Sequence, residues 1–158
     1  MFRLKLFLPA LAEGQARATL RRAHAGYEGP RRTLLVVDNE EADRQLLLDL
    51  LQPLGFAIEA AASGEAALAR LRDPRFRPDA IFMDLAMPGM DGWEAIRRLR
   101  AERLSGAPLA VVSANAFDRA LDHDVDLPPE DFLVKPVRLD DLLGWLERRL
   151  AQIGRAHV

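Results

Sequence analysis

The chain has 158 residues, which is enough for one domain and little more. Its residues are 49% hydrophobic and 29% charged, which favours a folded core over a disordered or low-complexity chain. A net charge of -2 and a pI near 5.9 leave no overall basic footprint for nucleic acid. The absence of cysteine excludes disulfides, cysteine-ligated zinc and thiol catalysis. No apolar run approaches the ~20 residues that a membrane span needs.

The first 32 residues are predicted to stand apart from the main domain. In residues 2–9, Arg3 and Lys5 alternate with apolar residues, which favours one amphipathic strand over an export signal. Residues 12–32 are polar, contain glycine and are rich in arginine, as linkers are. We therefore predict a strand-like segment and linker at 1–32, one domain at 33–152 and a tail at 153–158.

From residue 33 onward, short apolar runs alternate with amphipathic segments. The run Thr33-Leu-Leu-Val-Val is typical of a strand buried on both faces of a parallel sheet. Similar runs predict strands at 56–61, 79–83, 108–112 and 132–134. Helices are predicted between them by leucines at helical spacing and by the capping residues Ser63 and Asp91. A final helix follows the last strand.

This order of elements predicts an α/β domain with a doubly wound, five-stranded parallel sheet. Ligands in such sheets bind at the carboxyl ends of the strands. Those ends carry Asp38 with Asn39, then Asp84, Ser113 and Lys135. The predicted site therefore contains two carboxylates, one amide, one hydroxyl and one ammonium group.

These side chains together suit phosphoryl chemistry. Mg²⁺ prefers oxygen ligands and commonly uses one or two carboxylates, waters and a phosphoryl oxygen. An ionised aspartate beside such a metal can attack phosphorus and form an aspartyl phosphate. The metal and a lysine would neutralise charge on the transferring group, which is most of the catalysis in phosphoryl transfer.

Four motifs at the strand ends resemble the receiver domain of two-component response regulators. They are Val36-Val-Asp-Asn-Glu40, Ile81-Phe-Met-Asp-Leu-Ala-Met-Pro-Gly-Met-Asp-Gly92, Val111-Val-Ser-Ala-Asn115 and Phe132-Leu-Val-Lys-Pro136. The resemblance covers about residues 33–150. It implies the flavodoxin-like strand order 2-1-3-4-5 and a role in a phosphorelay.

The resemblance also implies a role for each site residue. Asp84 would accept the phosphoryl group, while Ser113 and Lys135 would contact it. Phe132 and Ser113 would form the conformational switch, and Pro136 would follow a bond that is often cis in the family. The implied magnesium ligands are Asp38, Asn39, Asp84 and the backbone carbonyl of Ala86.

The implied protein is a signalling domain in the cytoplasm and not an enzyme, beyond catalysing its own phosphorylation and dephosphorylation. Its expected partners are a histidine kinase or a histidine phosphotransfer protein and a downstream protein of unknown identity, with homodimerisation possible. No membrane partner is expected. We expect no DNA-binding output domain, because too few residues follow the last helix. Residues 2–9 resemble the closing strand of a histidine-kinase ATPase domain, which suggests the receiver of a hybrid kinase.

Two departures from the family pattern leave alternatives open. Asn39 stands where the family usually has a second acid, so we expect weaker Mg²⁺ binding, with Glu40 or Glu41 either compensating or simply solvated. The acidic stretch 117–129 has little amphipathic period, so the helix expected there is predicted to be short or loose. These departures favour an unphosphorylated pseudo-receiver as the alternative. An aspartate-dependent phosphatase is less favoured, since its Asp-x-Asp pattern needs an acid where Ala86 stands.

Overall fold

A computed structural model describes residues 32–120 and 125–156 of the chain. Within them, five parallel strands form one sheet in the order β2-β1-β3-β4-β5, which confirms the predicted fold class and strand order. The strands are β1 (Thr33–Val37), β2 (Ala57–Ala61), β3 (Ala80–Asp84), β4 (Leu109–Ser113) and β5 (Phe132–Val134). The α-helices are α1 (Glu41–Leu51), α2 (Gly64–Leu71), α3 (Gly92–Ala101) and α4 (Leu139–Ala156).

The sheet is covered on both faces, which explains why its central strands are apolar throughout. Alternate residues of β1 point to opposite sides: Leu35 and Val37 join one apolar cluster, and Leu34 and Val36 join the other. The first cluster is completed by α2 and α3 and the second by α1 and α4. A central strand such as β1 therefore contributes side chains to both apolar clusters.

The predicted helix caps are present. The hydroxyl of Ser63 accepts the backbone N–H of Ala66 at 3.0 Å, and the carboxylate of Asp91 accepts that of Glu94 at 2.9 Å. The helix α1 passes into a short 3₁₀ helix, Gln52–Leu54, which ends at Gly55 with φ of +100°. A left-handed residue at this point suits glycine.

Several boundaries differ from the sequence prediction. The third strand is Ala80–Asp84, one residue later than predicted, so Asp84 is its last residue. The final helix continues through residue 156. The predicted N-terminal strand at residues 2–9 and all but the last residue of the linker lie outside the described residues.

The connection from β4 to β5 is the least regular part of the fold. Its described residues, 114–120 and 125–131, contain the 3₁₀ helices Ala116–Ala120 and Pro129–Asp131 and no α-helix. This agrees with the weak amphipathic period of the stretch 117–129. No helix in the described part of the chain is long and apolar enough to cross a membrane.

The start of α3 lies directly against the backbone of Asp84. The N–H of Gly92 donates to the carbonyl of Leu85 at 3.0 Å. A Cβ at position 92 would lie 2.2 Å from the carbonyl oxygen of Asp84 and 2.8 Å from the Cα of Leu85. Only glycine therefore allows the helix to approach this closely.

We predict that Gly92→Ala lowers the free energy of unfolding by about 2 kcal/mol or more, because backbone atoms must move to admit the methyl group. Gly106→Ala is the matched control, since a Cβ there meets no atom within 4 Å. It should change stability by less than about 0.5 kcal/mol. Urea unfolding of both variants measures the difference, and equal stabilities would show that the close approach at Gly92 is unimportant.

Candidate functional site

The carboxyl ends of the strands bring together the acidic residues predicted from the sequence. Asp38 follows β1 and Asp84 ends the adjacent strand β3, so the parallel register places them side by side. Both are almost fully buried, with 2% and 3% of their surfaces exposed. Two carboxylates at this depth repel each other and need a cationic partner.

Lys135 supplies that positive charge from the end of β5. Its ammonium Nζ lies 2.8 Å from Asp38 Oδ2, 2.8 Å from Asp43 Oδ2 and 3.4 Å from Asp84 Oδ1. The backbone N–H of Lys135 donates to the carbonyl of Ser113 at 2.8 Å, and the peptide bond to Pro136 is cis. The lysine is therefore bound by three carboxylates, and its longest contact is to Asp84.

The two central groups have displaced pKa values. Burial, followed by the neighbouring charge of Asp38, raises the pKa of Asp84 to about 6, against the opposing effect of Lys135. Burial disfavours the charged form of Lys135, but its hydrogen bonds to Asp38 and Asp43 and the nearby carboxylate charges raise its pKa above the usual range. Lys135 is therefore positively charged at neutral pH, while Asp84 ionises at a cost.

Asn39 also lies at the site. With its amide oriented to satisfy both neighbours, its side-chain nitrogen donates to Asp84 Oδ2 and to the backbone carbonyl of Ala86, each at 3.1 Å. The neighbouring backbone N–H of Glu40 donates to Asp38 Oδ1 at 2.9 Å. The amide thus bridges two of the oxygens that were predicted to hold Mg²⁺.

Ser113 is buried at the end of β4, with 2% of its surface exposed. Its hydroxyl donates to the carboxylate of Asp118 and also lies 3.1 Å from the carbonyl oxygen of Asn115. The hydroxyl oxygen of Ser113 also accepts a hydrogen bond from the backbone N–H of Asn115, at 3.0 Å. Among the described contacts, the hydroxyl is therefore engaged with the segment after β4 and not with Asp84.

The aromatic residue predicted to act in the switch begins β5. The ring of Phe132 packs against that of Trp93 in α3, with centroids 5.8 Å apart and planes inclined by 49°. Phe132 is half-buried and contacts the cluster formed by α2 and α3. Its side chain is therefore packed inward in this structure.

The comparisons with known proteins agree with this architecture. Residues 34–147 match the family model described as the response regulator receiver domain. The chain belongs to this family.

Curated relatives include whole response regulators. This receiver domain is similar to the DNA-binding response regulator MtrA of Mycolicibacterium paratuberculosis, with 30% identity over 120 residues, 76% of the chain and 52% of the relative. It is also similar to the transcriptional regulatory protein AfsQ1 of Streptomyces coelicolor, with 35% identity over 106 residues, 67% of the chain and 45% of the relative. The chain thus spans about half the length of these relatives.

Solved receivers share the fold over nearly their full length. The chemotaxis protein CheY4 of Vibrio cholerae matches with a TM-score of 0.61 and 27% identity, over 76% of this chain and 99% of that one. A response regulator receiver protein of Pseudomonas putida matches with a TM-score of 0.61 and 30% identity, over 76% and 98% of the respective chains.

The donors at this receiver site fit Mg²⁺. The two buried carboxylates and the Ala86 carbonyl are the hard ligands that this ion prefers, and the Asn39 amide would add its oxygen after a rotation. Burial and then the charge of Asp38 raise the pKa of Asp84, and a nearby cation would favour its ionised form. No group of three or more acidic, histidine or cysteine side chains is arranged to ligate a metal in the described residues. The fitting donor set is thus two carboxylates with neutral oxygens.

Two polar residues at the receiver site were not predicted. Asp43, in the first turn of α1, contacts Lys135, and Asp118 contacts Ser113. Only a weak sequence signal pointed to Asp43: a helix starting just after Asp38 brings its first acidic residues close to the strand end. Glu40 and Glu41, which were considered as compensating acids, are both exposed.

We predict that Asp84→Asn stabilises the receiver in EDTA at pH 7.5 by about 1–3 kcal/mol, since it removes a buried charge. The folded pKa near 6 exceeds the value of about 3.9 in unfolded chains, so the stability associated with protonated Asp84 is lost as pH rises through 6. The gain should therefore shrink towards pH 4.

Chemical unfolding between pH 4 and 8 measures this difference. Asp49→Asn, at an exposed carboxylate of α1, is the control and should show no such pH dependence. A stability difference between Asp84→Asn and the wild type that stayed constant across this range would contradict the prediction.

Proposed function

We propose that this receiver accepts a phosphoryl group on Asp84 from a histidine kinase or a histidine phosphotransfer protein, with Mg²⁺ bound. The observation that carries the proposal is the placement of Asp84. It ends β3 beside Asp38, almost fully buried, and its Oδ1 lies 3.4 Å from the ammonium of Lys135. A buried nucleophile with an adjacent fixed cation suits transfer of an anionic group.

In the proposed step, a carboxylate oxygen of ionised Asp84 attacks phosphorus as the bond from phosphorus to the donor imidazole breaks. The electron pair of that bond leaves with the imidazole, and an aspartyl phosphate remains. Mg²⁺, held by Asp38, Asp84 and the Ala86 carbonyl with Asn39, would neutralise charge on the phosphoryl oxygens. Lys135, from the end of β5 at the same edge of the sheet, provides a second positive charge and needs no proton transfer.

We propose that Ser113 couples this event to the segment after β4. Its hydroxyl donates to Asp118, so a hydrogen bond from Ser113 to a phosphoryl oxygen requires that bond to break. The aspartyl phosphate adds about one further negative charge to the site. Phosphorylation thereby favours a second arrangement of residues 114–120 and of the Phe132 ring, as a shift between two populations.

The proposed setting is a two-component phosphorelay in the cytoplasm. The upstream partner is a histidine kinase or phosphotransfer protein. The downstream partner is another protein or a second copy of this chain. MtrA is described as a DNA-binding regulator, and the chain spans about half of it. We propose residues 33–152 as the receiver unit. DNA binding is not part of the function proposed for it.

One observation favours the pseudo-receiver as a second candidate. The Asn39 amide donates hydrogen bonds to both Asp84 and the Ala86 carbonyl. Two of the oxygens proposed to bind the metal therefore already accept an N–H group. In a pseudo-receiver this arrangement would be permanent and the domain would act by binding a protein. In a working receiver the amide must rotate to present its oxygen.

Phosphorylation by acetyl phosphate tests the two candidates. We expect the intact mass to rise by one phosphoryl group with Mg²⁺ present, and to stay unchanged in EDTA or in Asp84→Ala. The exposed-site variant Asp49→Asn should behave as the wild type does. Absence of a mass gain in every condition would reject the phospho-acceptor and favour the pseudo-receiver.

Asp118→Asn should speed phosphorylation by acetyl phosphate by about two- to tenfold, because a neutral acceptor holds the Ser113 hydroxyl less strongly. The time course of the mass gain at fixed Mg²⁺ measures the rate. Asp126→Asn, in the same connection, is the control. An unchanged or slower rate in Asp118→Asn would show that the bond to Ser113 does not oppose phosphorylation.

A further inference from the structure

The site contains one carboxylate for which the proposed step has no role. Asp43 Oδ2 lies 2.8 Å from Lys135 Nζ, as close as Asp38 Oδ2 and closer than Asp84 Oδ1. Its side chain is 39% exposed, whereas those of Asp38 and Asp84 are 3% exposed. Asp43 is therefore the most exposed of the three carboxylates that contact the lysine.

Through this contact, the ammonium group is shared among three carboxylates instead of two. Lys135 has three N–H donors and three carboxylates around it, so each carboxylate takes a share of one positive charge. Without Asp43, the ammonium would be shared between Asp38 and Asp84 alone. Those are the two carboxylates that a magnesium ion needs, and the lysine would then compete more strongly for them.

The contact also restores the charge of the site. Asn39 leaves Asp38 and Asp84 as the buried acids, and Lys135 cancels one of their two charges. With the carboxylate of Asp43 included, the charged groups around Lys135 have a net charge of about -2. A second acid at position 39 would give the same net charge. Glu40 and Glu41 do not offer this, since both are exposed and neither has a described contact with Lys135.

We propose that Asp43 is a positioning residue that holds Lys135 and supplies the negative charge missing at Asn39, and so keeps the site able to bind Mg²⁺. The inference rests on the proposed function for its metal and phosphoryl consequences. Its claim about the lysine stands on the geometry of residues 43 and 135 alone.

Calorimetric titration with magnesium tests whether Asp43 supplies the missing negative charge. The full chain is first treated with EDTA to remove bound metal. We expect Asp43→Asn to weaken binding of MgCl₂ by about three- to tenfold, because the cluster loses one charge. Glu41→Gln removes a carboxylate from the same helix turn and should have no such effect. The double variant Asn39→Asp with Asp43→Asn moves the charge back and should bind Mg²⁺ at least as tightly as the wild type.

Acylation of lysine tests the positioning without any metal. The chain has only two lysines, Lys5 and Lys135, so peptide mapping after limited treatment with an N-hydroxysuccinimide acetate ester reports each one. We expect Lys135 in Asp43→Asn to react about threefold faster or more relative to Lys5, since it loses the most exposed of its three carboxylate partners and its charged form is less stabilised. Glu41→Gln should leave the ratio unchanged, and circular dichroism confirms that each variant is folded.

The outcomes separate the two proposals. If Asp43→Asn matches Glu41→Gln in both assays, the role of Asp43 is rejected, whatever the acetyl phosphate experiment gives. If the wild type binds no Mg²⁺ and accepts no phosphoryl group, the proposed function fails. The acylation ratio then still decides whether Asp43 holds Lys135. Weaker Mg²⁺ binding in Asp43→Asn without recovery in the double variant would overturn the charge replacement.

Discussion

The pair of carboxylates buried at the ends of β1 and β3 is the constraint on which the rest of this site depends. A parallel sheet covered on both faces brings Asp38 and Asp84 together where little water can screen them. Burying two like charges is unfavourable, and the structure offsets it with the ammonium of Lys135 and the amide of Asn39. In the proposed function, a bound divalent cation would relieve the same repulsion and would offset the charge of a phosphoryl group on Asp84.

The groups around this pair come from separate parts of the chain and depend on different forces. Lys135 is fixed by β5, through the pairing of that strand with β4. Asn39 precedes α1 and Asp43 lies in its first turn. That helix is held by leucines packed in the apolar cluster that it shares with α4. The electrostatics of the site are therefore set by apolar packing several residues away.

Much of the fold and part of the site could be predicted from the sequence, for identifiable reasons. Continuous apolar runs such as residues 33–37 indicate buried parallel strands, and the rule that ligands lie at strand ends then selects Asp38, Asp84, Ser113 and Lys135. The contacts of Asp43 and Asp118 could not be predicted in this way. Each depends on how a helical turn is placed against a residue far away or beyond a loop, and no periodicity records that placement.

The close approach at Gly92 decides which parts of the domain can respond to a change at Asp84. The first turn of α3 lies against the carbonyl of Asp84 with no room for even a methyl group. The main chain of Asp84 and the start of α3 are therefore in direct contact, and neither can move closer to the other. In the proposed function, a rearrangement after phosphorylation would therefore involve the groups at the ends of β4 and β5, Ser113 and Lys135, and not a closer approach of α3 to β3.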